Sequence, residues 1–353
     1  MQVCLNIDFT NVLWLPKIPA RKLNTMNNLL DPAILFFAFG GFAGALKSNL
    51  EIPAPISRFL SLYLLMALGL KGGFALAESG LTEHVVGGLL CALALAIVVP
   101  VLALRLLRMW VGPYDAAALA ATYGSVSAVT FLTAVQFLET QGIAYGGHMA
   151  AAMALMESPA IILAVLFANS LRQREASGSP RDAVGTDFAK VSMRKVLHES
   201  FTEGAQLLLL GSMLVGLITG ESGRQAMEPF SSDLFKGMLA FFLLDMGLLA
   251  ARNLPQIRGQ SPWLLAYAVV APVVHASLAL ALARLVGLPL GDTVLLMVLA
   301  ASASYIAVPA VLRHAIPQAN PSLYFGLSLG LTFPLNILLG IPTYAAMASA
   351  VMR

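Results

Sequence analysis

Residues 115–138 read DAAALAATYGSVSAVTFLTAVQFL, and this stretch decides the fold. It is long and apolar enough to cross a membrane as a helix. Its middle, from Thr122 to Ser127, instead carries glycine and small hydroxyl side chains. A break in a membrane helix is tolerated where the freed backbone groups are buried in protein or line a cavity. The stretch therefore predicts a discontinuous membrane helix with a functional site at its break.

The composition of the whole chain agrees with a membrane protein. Of its 353 residues, 58% are hydrophobic and only 11% are charged, and the mean hydropathy is +0.81. Soluble domains carry about 25% charged residues. The composition excludes a cytosolic enzyme, a disordered protein, a secreted disulfide scaffold and a nucleic-acid-binding protein. We therefore predict an all-α polytopic membrane protein.

Apolar runs separated by charged residues and turns predict about ten transmembrane helices. Residues 1–28 lack a basic region followed by a sustained apolar run, so we interpret them as an N-terminal tail rather than a signal peptide. The predicted spans cover residues 29–46, 56–77, 84–105, 114–138, 146–171, 200–220, 230–250, 261–287, 291–313 and 322–350.

A charged segment, residues 172–199, divides the chain into two halves of five spans, residues 29–171 and 200–353. Because five is odd, two similar halves would lie in opposite orientations, which is the arrangement of an inverted repeat. The loops on the side of this segment carry thirteen Lys and Arg residues, against seven on the other side. The positive-inside rule then places residues 172–199 in the cytoplasm and both termini outside the cell membrane.

The two halves share sequence features in the same order. Asp115 and the Ser125–Ser127 segment recur as Asp292 and the Ser302–Ser304 segment, 177 residues later. Two further pairs have nearly the same offset, namely residues 71–73 with 245–247 and residues 157–159 with 332–334. The repeat predicts a discontinuous helix in each half. If the two breaks face each other, their half-helix N-termini form a small anion site that needs no cationic side chain. The alternative is that Gly, Ala and Ser serve only close helix packing.

Few charged residues fall within the apolar runs. Glu157 and Asp245 do, and carboxylates at membrane depth usually serve ions or protons. The alternatives are that Glu157 is structural and that Asp245 forms a structural ion pair with Lys71. Thr332 and Asn336 add oxygen ligands of the kind that suits Na⁺. No catalytic motif or phosphate-binding loop is present in the sequence, so we predict a transporter driven by an ion gradient and not an enzyme.

Two motifs carry a resemblance to a known family. The segment GSVSAVTF at residues 124–131, with ALMESPAI at residues 154–161, resembles the cyanobacterial-type sodium-dependent bicarbonate transporters, and the likeness covers about residues 29–350. The resemblance implies a homotrimeric symporter with a gate domain and a core domain that moves in an elevator-like manner. It also implies uptake of bicarbonate with Na⁺ and, in the cyanobacterial members, a PII-like regulatory protein at the cytoplasmic face.

The motif positions give the candidate site. We expect substrate binding by the two breaks, at Gly124, Ser125, Val126, Ser127, Ser302, Ala303 and Ser304. We expect sodium binding by Asp245, Glu157, Ser127, Ser304, Thr332 and Asn336. Na⁺ is the coupling ion, and we expect no other metal or cofactor. The residues alone also admit a sodium- or proton-coupled symporter for another small organic or inorganic anion.

Overall fold

A computed structural model of the chain describes residues 30–80, 82–178 and 204–352, and within these ranges it contains helices and no strand. This agrees with the predicted all-α class. The predicted N-terminal tail, most of the 172–199 segment and the first residues of the second half lie outside the described residues.

The described part of the first half contains six helices. They are α1 (Pro32–Ala45), α2 (Ala54–Ser79), α3 (Glu83–Leu107), α4 (Pro113–Gly124), α5 (Ala128–Gln141) and α6 (His148–Gly178). The last of these helices continues beyond residue 171, where we had predicted the linker to begin. The ends of these helices follow local chemistry: the Asp31 carboxylate caps α1 by accepting from the Ala33 amide at 2.8 Å, and α5 ends at Gly142 with φ of +66°.

The described part of the second half contains six further helices. They are α7 (Gly204–Glu228), α8 (Leu234–Asn253), α9 (Pro262–Val286), α10 (Leu290–Ala301), α11 (Ala307–Ala315) and α12 (Pro321–Val351). Within α12, Gly326–Thr332 and Asn336–Gly340 are π-helical. The sequence places prolines at residues 334 and 342 here, and proline inside a helix disfavours one straight helix.

The helices have the dimensions of membrane spans. Within the described ranges, seven helical stretches are long and apolar enough to cross a membrane, and the one from Gly204 to Ile257 contains both α7 and α8. Helices α1 and α10 are apolar but shorter. In the stretch Pro113–Gln141, 94% of the apolar segment is buried inside the protein, against 44–61% of the apolar segment in each of the other six stretches. The discontinuous helix α4–α5 therefore lies at the protein centre, shielded from lipid.

Glycines bring two pairs of helices from opposite halves into close contact. A Cβ atom on Gly73 of α2 would lie 2.1 Å from the Met213 carbonyl oxygen of α7, and one on Gly247 of α8 would lie 2.1 Å from the Phe37 carbonyl oxygen of α1. Only glycine permits this approach, which is typical of membrane helix packing. The two pairs, α2–α7 and α1–α8, flank the discontinuous helices.

Candidate functional site

The first break lies between α4 and α5. Helix α4 ends at Gly124, Ser125 to Ser127 are not helical, and α5 begins at Ala128. Ser127 caps the new helix, because its hydroxyl oxygen accepts from the Thr130 amide at 3.2 Å and from the Thr130 hydroxyl at 3.0 Å. The interruption predicted from glycine and serine is therefore present and locally stabilised.

The second break separates α10 from α11. Helix α10 ends at Ala301, and α11 begins at Ala307 after a non-helical segment. The hydroxyl oxygen of Ser304 accepts from the Val308 amide at 3.3 Å. Both halves of the chain thus contain a helix that stops and restarts within an apolar run.

Hydrogen bonds join the two breaks directly. The Ser127 amide donates to the Ser302 hydroxyl oxygen at 2.9 Å, and the Ser304 amide donates to the Thr122 carbonyl oxygen at 2.8 Å. All four residues are buried. Bonds of this kind between backbone and polar groups in a buried place are costly to lose, so they hold the two breaks in one arrangement.

A cavity of about 60 Å³ lies beside the joined breaks. Its wall includes Ala128 and Val129 from the first turn of α5, and Ile306 and Ala307 at the start of α11. The first amides of a helix have no intrahelical acceptor, and the helix dipole makes this end positive. The cavity therefore lies at the positive ends of two half-helices, and its volume matches a few water molecules, since one water needs about 10–15 Å³.

At the negative end of each of the other two half-helices, one carbonyl oxygen is satisfied by the chain. The Thr122 carbonyl oxygen near the end of α4 accepts from the Ser304 amide. The Ala301 carbonyl oxygen, the last of α10, accepts from the Asn336 side-chain amide at 2.8 Å. The positive ends alone thus border the cavity, which gives it the polarity of an anion site.

Polar side chains complete the cavity wall, among them Glu157, Gln206, Ser61 and Tyr305. The Gln206 side-chain amide donates to Oε2 of Glu157 at 2.7 Å, and the Ser125 hydroxyl donates to the Glu157 backbone carbonyl at 3.1 Å. These bonds fix the carboxylate beside the first break. Among the described residues that line the cavity, none is Lys or Arg.

A comparison with protein families matches residues 32–349 to the Na⁺-dependent bicarbonate transporter superfamily. The chain belongs to this superfamily. The match covers nearly the whole chain and confirms the resemblance found in the sequence. Membership also makes the protein a transporter and not an enzyme. A search of curated proteins found no significant match.

The structure brings together only part of the sodium set predicted for this superfamily member. Ser127, Ser304 and Glu157 line the cavity. Asp245 is not part of the cavity wall and accepts from the Ser57 hydroxyl at 2.5 Å. Thr332 donates to the Ala268 carbonyl oxygen at 2.8 Å.

Asn336, the remaining member of that set, is bound to the end of α10 and to a tyrosine. Its side-chain oxygen accepts from the Tyr344 hydroxyl at 2.9 Å. Asn336 therefore stabilises the second break through the end of α10 and is not part of the cavity wall. Of the predicted substrate residues, Val126, Ser127 and Ser304 face the cavity, whereas the others lie in the surrounding backbone turns, namely Gly124, Ser125, Ser302 and Ala303.

Lys71 forms a different ion pair from the one considered in the sequence. Its ammonium lies 2.8 Å from Oε1 of Glu139, at the end of α5. Asp245 has Ser57 as its partner instead. The alternative of a structural Asp245–Lys71 ion pair is therefore wrong. Sequence analysis also missed Gln206 and Tyr305 as cavity residues, although a glutamine within the apolar run 200–220 was a usable signal.

Proposed function

We propose that the protein is a sodium-dependent bicarbonate symporter that binds bicarbonate in the cavity between the two breaks. The observation that carries the proposal is the meeting of two positive half-helix ends in one small cavity, with no Lys or Arg among the described residues of its wall. A small monoanion can be held there by backbone amides. A larger organic acid would need more room and usually a cationic side chain.

Hydrogen bonding assigns different roles to the two cavity serines. The Ser127 oxygen already accepts two bonds from Thr130, which uses both lone pairs of a hydroxyl. Its hydrogen can be donated to the neighbouring Tyr305 hydroxyl or to an anion, and its oxygen has no lone pair left for Na⁺. Ser304 accepts one long bond. We propose that Na⁺ binds beside the anion through oxygen atoms of Ser304 and Glu157, since hard cations prefer such ligands.

The position of the cavity supports an elevator-type movement. One wall comes from the α2–α7 pair, through Ser61 and Gln206, and the facing wall comes from the half-helices α5 and α11. In this proposal the half-helices carry substrate and sodium across the membrane as a core domain. The flanking pairs α2–α7 and α1–α8 form the gate domain. Transport then needs only a sliding movement between two packed units.

Matching contacts support an inverted repeat of five plus five spans, with α4–α5 and α10–α11 each counted as one span. Asp115 accepts from the Asn320 amide at 2.7 Å, and its counterpart Asp292 accepts from the Gly146 amide at 2.5 Å. The two donor residues, Asn320 and Gly146, are nearly as far apart in the sequence as the two acceptor residues, Asp115 and Asp292.

We further propose that residues 29–171 and 200–353 form the two domains and that the protein lies in the cell membrane. In this proposal both termini lie outside the cell and residues 172–199 lie in the cytoplasm. The homotrimer and the PII-like partner rest on the family resemblance.

Uptake of labelled bicarbonate into proteoliposomes tests the proposal. We expect uptake to depend on an inward Na⁺ gradient. Replacing both Ser125 and Ser127 by Leu should abolish uptake, because the larger side chains fill the break and remove the cap. Ser277→Leu is the matched control, since Ser277 is exposed on α9 and its hydroxyl bonds only its own helix at Val273. Uptake that is indifferent to Na⁺, or that survives in the double variant, would contradict the proposal.

A further inference from the structure

A carboxylate on the wall of an anion site needs a chemical reason. Glu157 lines the cavity together with the positive ends of α5 and α11. Like charges close together disfavour each other, so a carboxylate normally weakens anion binding. An ionised carboxylate is also a pure hydrogen-bond acceptor. Apart from sharing a bridging cation, it can contact an anion favourably only if that anion supplies a donor hydrogen.

Bicarbonate is an anion of this kind. It combines a planar charged group with one hydroxyl, so one edge accepts hydrogen bonds and one corner donates. Nitrate and formate are also planar monoanions, but neither has a hydroxyl hydrogen to donate. A site with backbone amides on one side and a carboxylate on the other matches bicarbonate and mismatches both of these anions.

We propose that Glu157 is a specificity-determining residue that accepts the hydroxyl hydrogen of bicarbonate, an inference that rests on the proposed function. The amides at the starts of α5 and α11 would bind the two remaining oxygens. A carboxylate has about four lone-pair sites, so it can hold the Gln206 amide, a nearby Na⁺ and a hydroxyl together. Recognition of the hydroxyl explains why the cavity keeps a negative side chain.

The local structure presents Glu157 in a fixed orientation. The Gln206 side chain holds Oε2 at 2.7 Å, and the Ser125 hydroxyl holds the Glu157 backbone carbonyl at 3.1 Å. Three elements therefore converge on this residue: α6, which carries it, α7, and the first break. An acceptor that is already held in its binding orientation discriminates more sharply between ligands, because binding does not have to pay the entropic cost of ordering its side chain.

Competition experiments in proteoliposomes test the inference at saturating Na⁺. Hydrogen bonds to charged groups are worth about 1.5–3 kcal/mol, which corresponds to roughly 10- to 150-fold in affinity. We expect nitrate and formate to inhibit wild-type bicarbonate uptake at least about tenfold more weakly than unlabelled bicarbonate does. In Glu157→Gln, the new amide can donate to nitrate, and this preference should fall to within about threefold.

Glu221→Gln is the matched control, because Glu221 is an exposed carboxylate paired with Arg224 and lies away from the cavity. It should keep the wild-type preference. Thermal unfolding of each variant in detergent checks that it is folded. The experiment on the wild-type protein tests the inference without any variant. If nitrate inhibits wild-type bicarbonate uptake as strongly as unlabelled bicarbonate does, the inference is overturned.

The remaining outcomes separate the inference from the proposed function. A wild-type chain without Na⁺-driven bicarbonate uptake overturns both. Normal wild-type uptake with an unchanged nitrate preference in Glu157→Gln overturns the inference alone. A folded Glu157→Gln that transports nothing at saturating Na⁺ also overturns it, because the carboxylate would then serve coupling and not selectivity.

Discussion

The two helix breaks occupy corresponding places in the two halves but differ in how firmly they are held. After the first break, α5 runs for 14 residues and is capped by Ser127, whose hydroxyl oxygen accepts two hydrogen bonds. After the second, α11 has nine residues, and Ile306 at its start makes no side-chain cap bond. Ile306 is also 55% exposed, whereas Val126 and Ser127 are buried.

This difference indicates that the two breaks have different roles in binding the anion. The first break is a rigid reference, because burial and capping fix its backbone. The second break is longer, its helix α11 is shorter and less capped, and Ile306 is exposed although Ser302 to Tyr305 are buried. A longer break before a short, weakly capped helix is a feature of a segment that rearranges at lower cost. We infer that the first break positions the anion and that the second adjusts around it. The following predictions test this asymmetry, from the largest expected effect to the smallest.

The largest effect is expected at Gly124, the last helical residue before the first break. A Cβ atom there would lie 2.4 Å from Cβ of Pro100 and under 3 Å from two further ring atoms. The proline ring is stiff and belongs to the neighbouring helix α3. Gly124→Val should therefore lower the free energy of unfolding by about 3 kcal/mol, the upper part of the usual overpacking range. Thermal unfolding in detergent and bicarbonate uptake measure the effect.

Ala301, the corresponding residue of the second half, provides the reciprocal change. It already carries a Cβ atom without a clash, so Ala301→Gly removes one methyl group and should cost only about 1 kcal/mol. Equal losses in Gly124→Val and Ala301→Gly would mean that the first break is no more constrained than the second.

A smaller effect is expected for the bond that joins the breaks. Ser302→Ala leaves the buried Ser127 amide without its acceptor, and an unsatisfied buried group costs about 1–3 kcal/mol. Uptake should fall together with stability, because the two half-helix ends lose their alignment. Ser277→Ala removes a hydroxyl that bonds only within α9 and serves as the control. A Ser302→Ala protein with wild-type stability and uptake would show that the breaks are aligned by other contacts.

The break in the first half could be predicted from the sequence, because glycine and serine inside an apolar run are a local signal. The second break followed from the repeat of Asp115 and Ser125–Ser127 as Asp292 and Ser302–Ser304. What could not be predicted were contacts between distant elements. Nothing local indicates that Gln206 reaches Glu157, or that Asp245 takes Ser57 and leaves Lys71 to Glu139. Such partners depend on how α2, α5, α7 and α8 pack in three dimensions.

The smallest expected effect compares the two capping serines. Ser127→Ala removes a helix cap, which typically costs about 1 kcal/mol. Ser304→Ala removes one acceptor from a 3.3 Å bond with the Val308 amide, and it should cost about 0.5 kcal/mol, the lower end for a hydrogen bond. Thermal unfolding and the half-saturating bicarbonate concentration report both changes. If the first break is the fixed reference, Ser127→Ala raises that concentration more than Ser304→Ala, since it loosens the amides of α5. Equal shifts would mean that both breaks hold the anion equally and that the observed difference in capping has no functional consequence.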